Sequence, residues 1–197
     1  MVMFVIFPTT TNMAEADDLF EPAVHYGVGE IPLSAAIGDL NGDGNLDLAV
    51  ACRGSHPEYD GSVSILMGNG DGSFVPAVDY ATGNWPARVA IGDFDADGSQ
   101  DLCAVDRGAG HVCILLSDGG RGFGSARHFG AGSWPTSVVV SDVDDDADYD
   151  ILTANLSSDD VSLLKCRSTD TPVDAAFYAV ATESGSVTLR WTVDSLG

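Results

Sequence analysis

The sequence is poor in basic residues. Only 8 of its 197 residues are Lys or Arg, against 30 Asp and Glu, so the formal net charge at pH 7 is −22. A chain so short of cations is not expected to bind nucleic acid or an anionic membrane surface, because both attract positive charge. The same excess of like charge opposes a compact fold unless cations neutralise part of it.

Cysteine motifs and long apolar runs are also missing. The four cysteines form no CxxC pair and no Cys/His pattern, so the sequence offers no zinc or redox motif. Cys103 and Cys113 lie in apolar runs and are interpreted as small core residues rather than as a disulfide framework. No segment reaches the ~20 apolar residues of a membrane-spanning helix, so no membrane span is predicted.

Residues 1–18 are predicted to be a leader. They begin with the apolar patch "MVMFVIF" and carry Ala14-x-Ala16, a spacing that suits a signal peptidase. The stretch has no Lys or Arg and its apolar core is short, so a wrongly assigned start of the coding sequence is the alternative. We favour a clipped export signal and therefore expect a secreted, extracellular or cell-surface location.

What the sequence does contain is a threefold repeat. The stretches "IGDLNGDGNLDLAVA", "IGDFDADGSQDLCAV" and "VSDVDDDADYDILTA" align on Asp39, Asp93 and Asp142, which are 54 and 49 residues apart. An Ile–Pro or Trp–Pro pair begins eight residues before each of these aspartates, and "VSIL", "VCIL" or "VSLL" follows each acidic stretch. The additional residues of the first repeat fall in "RGSHPEYDG", which predicts a longer surface loop.

Each repeat predicts four short antiparallel strands. Apolar runs such as "LDLAVA" are typical of strands buried on both faces, and the turns "GNGDGS" and "DGGRG" suit tight hairpins. Four strands in about 50 residues are the signature of a β-propeller blade. The predicted fold is all-β, a partial β-propeller over residues 19–168 whose three four-stranded antiparallel blades span approximately 19–73, 74–122 and 123–168.

The tail, residues 172–197, is predicted to be the start of a truncated β-sandwich module. The stretch "SVTLRWTV" alternates like an exposed strand after the turn "ESGS", which predicts a C-terminal β-hairpin. It resembles the first hairpin of a fibronectin-III or immunoglobulin-like module. Three blades fall short of the four to eight of a closed propeller, so we expect further blades or another chain to complete it.

A nine-residue acidic loop follows the first predicted strand of each repeat: loop 1 (39–47), loop 2 (93–101) and loop 3 (142–150). Alternate side chains of a curling chain meet on one point, and Ca²⁺ prefers six to eight oxygen ligands in irregular geometry. Oxygen-bearing side chains occupy positions 1, 3, 5, 7 and 9 of every loop, and up to three Ca²⁺ ions are predicted. The predicted ligands are Asp39, Asn41, Asp43, Asn45 and Asp47; Asp93, Asp95, Asp97, Ser99 and Asp101; and Asp142, Asp144, Asp146, Asp148 and Asp150.

Two other interpretations of these loops, an EF-hand and a polar turn without an ion, fit the sequence less well. An EF-hand places a bidentate Glu at position 12, where this chain has Val50, Ala104 and Thr153, and its flanks are helical rather than strand-like. A polar turn without an ion explains one loop, but three loops would each crowd at least three carboxylates together. Mg²⁺ is less suitable because it demands octahedral geometry. Position 6 is a glycine in loops 1 and 2, Gly44 and Gly98, and glycine eases the sharp turn there. Loop 3 has Ala147 at this position.

The repeats resemble FG-GAP/VCBS-type repeats, the blades of integrin α-subunit propellers and of many secreted bacterial proteins. The resemblance rests on the Trp/Ile–Pro pair, "IGD" with its acidic loop, "VSIL" and "GNGDGSF", and it covers residues 19 to about 165. It implies calcium between the first two strands of each blade, and a secreted binding or cell-adhesion module for a protein or carbohydrate ligand. The alternative is an accessory non-catalytic domain of a secreted polysaccharide-acting enzyme. The third copy departs from the pattern at Ala147 and in "CRSTDTP", which replaces its closing hairpin.

No catalytic residue is predicted, and the chain is not expected to be an enzyme. No Ser–His–Asp or Cys–His set can be assembled from sequence, and the conspicuous acidic clusters are already assigned to metal. Trp85 and Trp134 share a repeat position and could stack on sugar rings. Packing between blades is the preferred interpretation because Ile31 occupies the same position in the first repeat.

Overall fold

A computed structural model describes residues 21–55, 60–120, 122–167, 178–183 and 186–188. Over these residues the chain consists of strands and turns without a helix, so this part holds no helix that could cross a membrane. The predicted leader lies outside the described residues, as does most of the predicted C-terminal module.

Thirteen strands follow one another along this part of the chain. They are β1 (Pro32–Gly38), β2 (Asp47–Cys52), β3 (Asp60–Leu66), β4 (Val78–Asn84), β5 (Pro86–Gly92), β6 (Asp101–Asp106), β7 (His111–Leu115), β8 (Arg127–Gly130), β9 (Pro135–Ser141), β10 (Asp150–Asn155), β11 (Asp160–Lys165), β12 (Tyr178–Glu183) and β13 (Ser186–Thr188).

The strands form three antiparallel sheets in the order of the chain. The first sheet is β1-β2-β3-β4, the second is β5-β6-β7-β8, and the third is β9-β10-β11 followed by β12 and β13. The prediction of an all-β chain built from three antiparallel blades, with a C-terminal hairpin, is confirmed. In that hairpin Glu183 pairs with Ser186, and β12 also pairs with β11, as β4 pairs with β3 and β8 with β7. The fibronectin-III or immunoglobulin-like module stays a prediction.

The fourth strand of each of the first two sheets comes from residues beyond the approximate repeat bounds at 73 and 122. Strand β4 lies at 78–84 and β8 at 127–130, and each hydrogen-bonds back to the strand before it. The turns that return the chain are held by the bridges Gly68–Phe74 and Ser117–Phe123. The sheets thus run over 32–84 and 86–130, and the third begins at Pro135.

The blades pack through their first strands, with β1 against β5 and β5 against β9. Ile91 lies over Gly38 of the preceding sheet and Val140 lies over Gly92, and in both places a Cβ on the glycine would come within 3.0 Å of the packed side chain. One apolar core fills the space between the first and second sheets, and another fills the space between the second and third. The first strands therefore line the inner side of the arc.

The four cysteines, Cys52, Cys103, Cys113 and Cys166, are buried free thiols. Cys103 and Cys113 belong to different cores, on opposite sides of the second sheet. Burial raises the pKa of the Cys113 thiol to about 12, so it stays protonated at neutral pH. The interpretation of Cys103 and Cys113 as small core residues is confirmed.

One face of the third sheet packs against the second sheet, and the opposite face is not covered by other described residues. Val63 and Val112 are 0 % exposed, whereas the equivalent Val161 is 51 % exposed; Phe94 is 1 % exposed and the equivalent Val143 is 44 % exposed. The three sheets form an open arc rather than a closed ring. This exposed apolar face is the physical basis for expecting further blades or another chain beside it.

Candidate metal-binding loops

Each acidic loop curls around its leading aspartate. The amide at position 6 donates a hydrogen bond to Oδ2 of that aspartate, with N–O distances of 2.8 Å from Gly44 to Asp39, 2.9 Å from Gly98 to Asp93 and 2.9 Å from Ala147 to Asp142. The amide at position 7 donates in turn to Oδ1 of the aspartate at position 5. The three loops therefore share one backbone conformation, set by side-chain-to-backbone bonds of the Asx type.

Two positions of every loop have a positive φ. At position 6, φ is 85° for Gly44, 88° for Gly98 and 73° for Ala147, as expected from the preference for glycine there. Position 4, which sequence reasoning missed, is also left-handed, at Gly42, Ala96 and Asp145. Only loop 1 has glycine at both positions, so loops 2 and 3 carry backbone strain that loop 1 avoids.

Replacing Ala147 with glycine is expected to raise the free energy of unfolding by about 0.5–1 kcal/mol. A residue other than glycine in the left-handed region costs ~1–2 kcal/mol, and the glycine variant is relieved of this cost. Glycine also gives the unfolded chain more conformational entropy, which offsets part of the stabilisation. Ala154→Gly is the matched control: Ala154 is exposed in β10 without a positive φ, so the change should destabilise by about 0.5–1 kcal/mol. Urea unfolding in EGTA measures both variants. Two shifts of the same sign would contradict the strain at Ala147.

The aspartates at position 9 are fully buried and hold each loop to its sheet. Asp47, Asp101 and Asp150 are each 0 % exposed. One oxygen of each accepts a hydrogen bond from the amide at loop position 2, from Leu40 (2.9 Å), Phe94 (2.8 Å) or Val143 (3.1 Å). The other oxygen accepts from an amide just after the third strand, at Gly68 (2.7 Å), Ser117 (2.7 Å) or Cys166 (2.9 Å). Position 9, assigned from sequence to the ion alone, thus also bridges the loop and the third strand.

Loop 2 gathers three carboxylates that are partly or fully buried, and the charge of Arg127 lowers the pKa of Asp95 only against the larger effects of burial and of Asp97. Asp93, Asp95 and Asp101 each place a carboxylate oxygen within 4.8 Å of the others. Oδ1 of Asp93 is buried and has no hydrogen-bond partner among the described residues. Burial raises the pKa of Asp101 to about 7, and the charges of Asp95 and Asp93 push it the same way; burial and then the charge of Asp97 raise the pKa of Asp95. An unpartnered buried oxygen among desolvated carboxylates fits a hard cation.

Loop 3 gathers Asp142, Asp144 and Asp146 within the same distance of one another. Here a cation of the chain is already close, because Nζ of Lys165 lies 2.6 Å from Oδ2 of Asp144. Asp150 is not part of this group, although Asp101, which accepts the equivalent backbone bonds, belongs to the group in loop 2. The loop can hold a metal ion, but the ammonium of Lys165 competes for one of its ligands.

Loop 1 is arranged differently. Among the described residues it forms no group of three carboxylates within 4.8 Å. Nδ2 of Asn41 instead donates to Oδ2 of Asp43 (3.0 Å), and Oδ1 of Asn41 accepts from the amide of Asp43 (2.9 Å). The Asn45 amide and then the Asn41 side chain lower the pKa of Asp43. The loop satisfies its own carboxylate, and Asn41 would have to turn its oxygen inward to hold an ion.

A second group of residues, absent from the sequence predictions, lies at the opposite ends of the strands. Arg53 follows β2 and Arg107 follows β6, at equivalent repeat positions, and their amides donate to the carbonyls of Ile31 and Trp85. The Arg53 guanidinium lies 4.8 Å from the ring centre of Trp85, which stands edge-to-face with Trp134 at 5.2 Å. The ring contact confirms the predicted packing between blades. We call Arg53, Trp85, Arg107 and Trp134 the arginine rim; "CRG" and "DRG" were its overlooked sequence signal.

Comparison with curated proteins finds no match for this chain. A family model described as FG-GAP-like repeat matches residues 39–104 and 93–153, which together cover more than half of the chain. Both matches begin at the leading aspartate of an acidic loop, and the second ends in β10 of the third sheet. The repeats, the antiparallel sheets and the two matches lead to one conclusion: the chain belongs to the FG-GAP-like repeat family.

Proposed function

We propose that this chain is a calcium-stabilised segment of a β-propeller that serves as an extracellular binding or adhesion module for a protein or carbohydrate. The observation that carries the proposal is loop 2, where three carboxylates converge around a buried oxygen of Asp93 that has no hydrogen-bond partner in the described chain. FG-GAP-like repeats suggest a propeller-like binding module and are generally non-catalytic, which favours binding over catalysis.

The residues that would hold the ions follow from the three loops. Asp93, Asp95 and Asp101 would form the centre of the site in loop 2, and Asp142, Asp144 and Asp146 that in loop 3. Asp39, Asn41 and Asp43 would serve in loop 1 after the amide of Asn41 turns, with the remaining predicted ligands completing each shell. A bound ion would supply positive charge to these carboxylates, in competition with Lys165 at Asp144. Each loop joins the first two strands of a sheet, so holding it stiffens one end of the blade and leaves the other end for ligand.

The alternative, an accessory domain of a secreted polysaccharide-acting enzyme, is favoured by one feature. Trp134 is 36 % exposed at the arginine rim, on the side away from the acidic loops, where an aromatic ring can meet a sugar. In this role the chain would bind the polysaccharide and leave catalysis to another domain. A catalytic domain encoded in the same gene would support the alternative, and adhesive repeats would support the first role.

Calcium stoichiometry tests the proposal directly. Isothermal titration of the chelator-treated chain with Ca²⁺ should show at least two sites, and the Asp95→Ala variant should lose one of them because loops 2 and 3 belong to separate sheets. Asp71→Ala is the matched control, since Asp71 lies in an exposed hairpin outside the acidic loops and bonds Ser73. Absence of saturable calcium binding, or equal loss in both variants, would contradict the proposal.

A further inference from the structure

We propose that the arginine rim contains a binding site for a carboxylate-bearing sugar ring, of the uronate class, in the groove between the second and third sheets. The site rests on the proposed binding function and deepens it by naming the chemistry of the ligand. It lies at the ends of the strands opposite the acidic loops, and it uses none of the predicted metal ligands.

The groove is small and is made by turns of both sheets. It has a volume of about 280 Å³ and is lined by residues 107–110 after β6, by residues 131–134 between β8 and β9, and by Ser157 after β10. Ligand pockets for drug-sized molecules span roughly 300–1,000 Å³, so this groove suits a single ring-sized unit. A glycan could enter with one ring and run along the rim to either side.

Arg107 provides the cation of the groove. Its Nε is buried without a hydrogen-bond partner, and no described residue forms an ion pair with its guanidinium. Burial, followed by the like charge of Arg88, lowers the pKa of Arg107. A chain with 30 acidic and 8 basic residues has carboxylates in excess, yet this arginine in a ligand-sized groove has none. The planar fork of a guanidinium matches a carboxylate in two parallel hydrogen bonds.

Trp134 provides the apolar wall of the same groove. It lines the groove beside Arg107 and remains 36 % exposed. An exposed indole face can cover the C–H face of a sugar ring while Arg107 holds a carboxylate attached to that ring. An arginine beside a tryptophan also occurs one blade earlier, where the guanidinium of Arg53 lies over the ring of Trp85. In the third sheet the position equivalent to Arg107 is Leu156, so this sheet provides no arginine for a further pair of this kind.

An acidic peptide fits this groove less well than a sugar. Peptides laid along protein edges are held mainly by backbone hydrogen bonds. Most of the amides that line the groove are already used: Gly108 donates to the Asn84 carbonyl, Gly110 donates to the Asp106 carbonyl, and Ala109 donates to Asp106 Oδ1. Ser133 likewise donates to Ser158 Oγ. The groove therefore offers a guanidinium and a ring, which is the pair that a uronate needs.

The net charge of −22 does not prevent an anion from binding here. Loop 2 and Arg107 lie at opposite ends of β6, whose 6 residues at ~3.3 Å each span roughly 20 Å. That is more than twice the Debye length of ~8 Å at physiological ionic strength. The carboxylates of the loops are thus largely screened at the groove. The nearer carboxylates are held in hydrogen bonds, Asp106 by the amides of Asn84 and Ala109 and Asp160 by the hydroxyl of Ser158.

The test titrates the full chain in CaCl₂ with cellobiouronic acid and with its neutral counterpart, cellobiose, by calorimetry and tryptophan fluorescence. Saturable binding of the uronate is expected, with cellobiose about tenfold weaker or more, because a hydrogen-bonded charge pair is lost. Arg107→Gln should weaken uronate binding by a similar factor. Arg127→Gln is the matched control: it removes the same charge from exposed Arg127 in β8 and should leave the affinity within about twofold.

Several outcomes would overturn this site. They are no saturable uronate binding, equal affinity for cellobiose, equal weakening by Arg107→Gln and Arg127→Gln, or a glutamate-rich peptide that binds more tightly than the uronate and depends on Arg107. Because the Arg107 side chain has no hydrogen bond to the described chain, its variant should retain the melting temperature of the parent. Calcium binding without uronate binding would reject this site alone, whereas uronate binding without calcium binding would reject the calcium role alone.

Discussion

Removal of calcium is expected to lower the melting temperature of this chain by about 10–20 °C. An ion present at 100 times its dissociation constant stabilises by about 2.7 kcal/mol per site, and loops 2 and 3 provide two such sites. In a domain of this size, 1 kcal/mol shifts the melting temperature by about 2–4 °C. The cause is the desolvated charge of loop 2: without an ion, Asp93, Asp95 and Asp101 repel one another in the folded chain and separate when it unfolds.

The measurement is thermal unfolding by circular dichroism in CaCl₂, in MgCl₂ and in EGTA, with ionic strength matched by NaCl. Mg²⁺ should recover only part of the shift, because it requires a tighter octahedral shell than these loops offer. Asp95→Ala should lose about half of the calcium-dependent shift, since only loop 2 is affected. A melting temperature that is the same in CaCl₂ and EGTA would remove the basis for a structural role of calcium.

Replacing Asp47 with alanine is expected to lower the free energy of unfolding by about 4 kcal/mol, with or without calcium. Asp47 is 0 % exposed, and its two oxygens accept the amides of Leu40 and Gly68. Its loss would leave two buried donors without partners, at about 1–3 kcal/mol each, and would detach loop 1 from the third strand of its sheet. Asp47→Asn should cost less, because an amide can still accept one of the two bonds.

Asp43 is the matched control in the same loop. Its side chain is exposed and accepts bonds from Asn41 and the Asn45 amide at the loop surface. In EGTA, Asp43→Ala should therefore cost less than about 1 kcal/mol, whereas in CaCl₂ it should also remove whatever calcium contributes at loop 1. Urea unfolding of both variants under both conditions separates the two roles. If Asp47→Ala proved as mild as Asp43→Ala in EGTA, the bridging role of position 9 would be wrong.

The fold was predictable because its determinants are local and occur three times. Apolar runs separated by Gly, Asp and Asn define strands and turns, and the register of Asp39, Asp93 and Asp142 shows that one unit recurs. The need for a positive φ at position 6 was readable from Gly44 and Gly98. Position 4 was not readable, because Ala96 and Asp145 give no sign of a left-handed backbone.

The candidate metal site was predictable only in part. Alternation along a curling chain predicts that carboxylates converge, but not which oxygens are already used by backbone amides, as they are at Asp47, Asp101 and Asp150. Nor does it predict that Lys165, 21 residues after Asp144 and on another strand, would reach the third loop. Those contacts depend on how the third strand of each sheet pairs with the second, which begins at the last residue of the acidic loop.

The sequence by itself determined the repeat, the strand content and the presence of three acidic loops, because these depend on residue types at fixed spacing. Only the tertiary structure decided which carboxylates share a site, since this depends on hydrogen bonds that cross from strand to strand. It alone also brought Arg107 of the second sheet to the same groove as Trp134 of the third. Residues 27 positions apart meet there because the blades pack face to face, a relation that no spacing along the chain encodes.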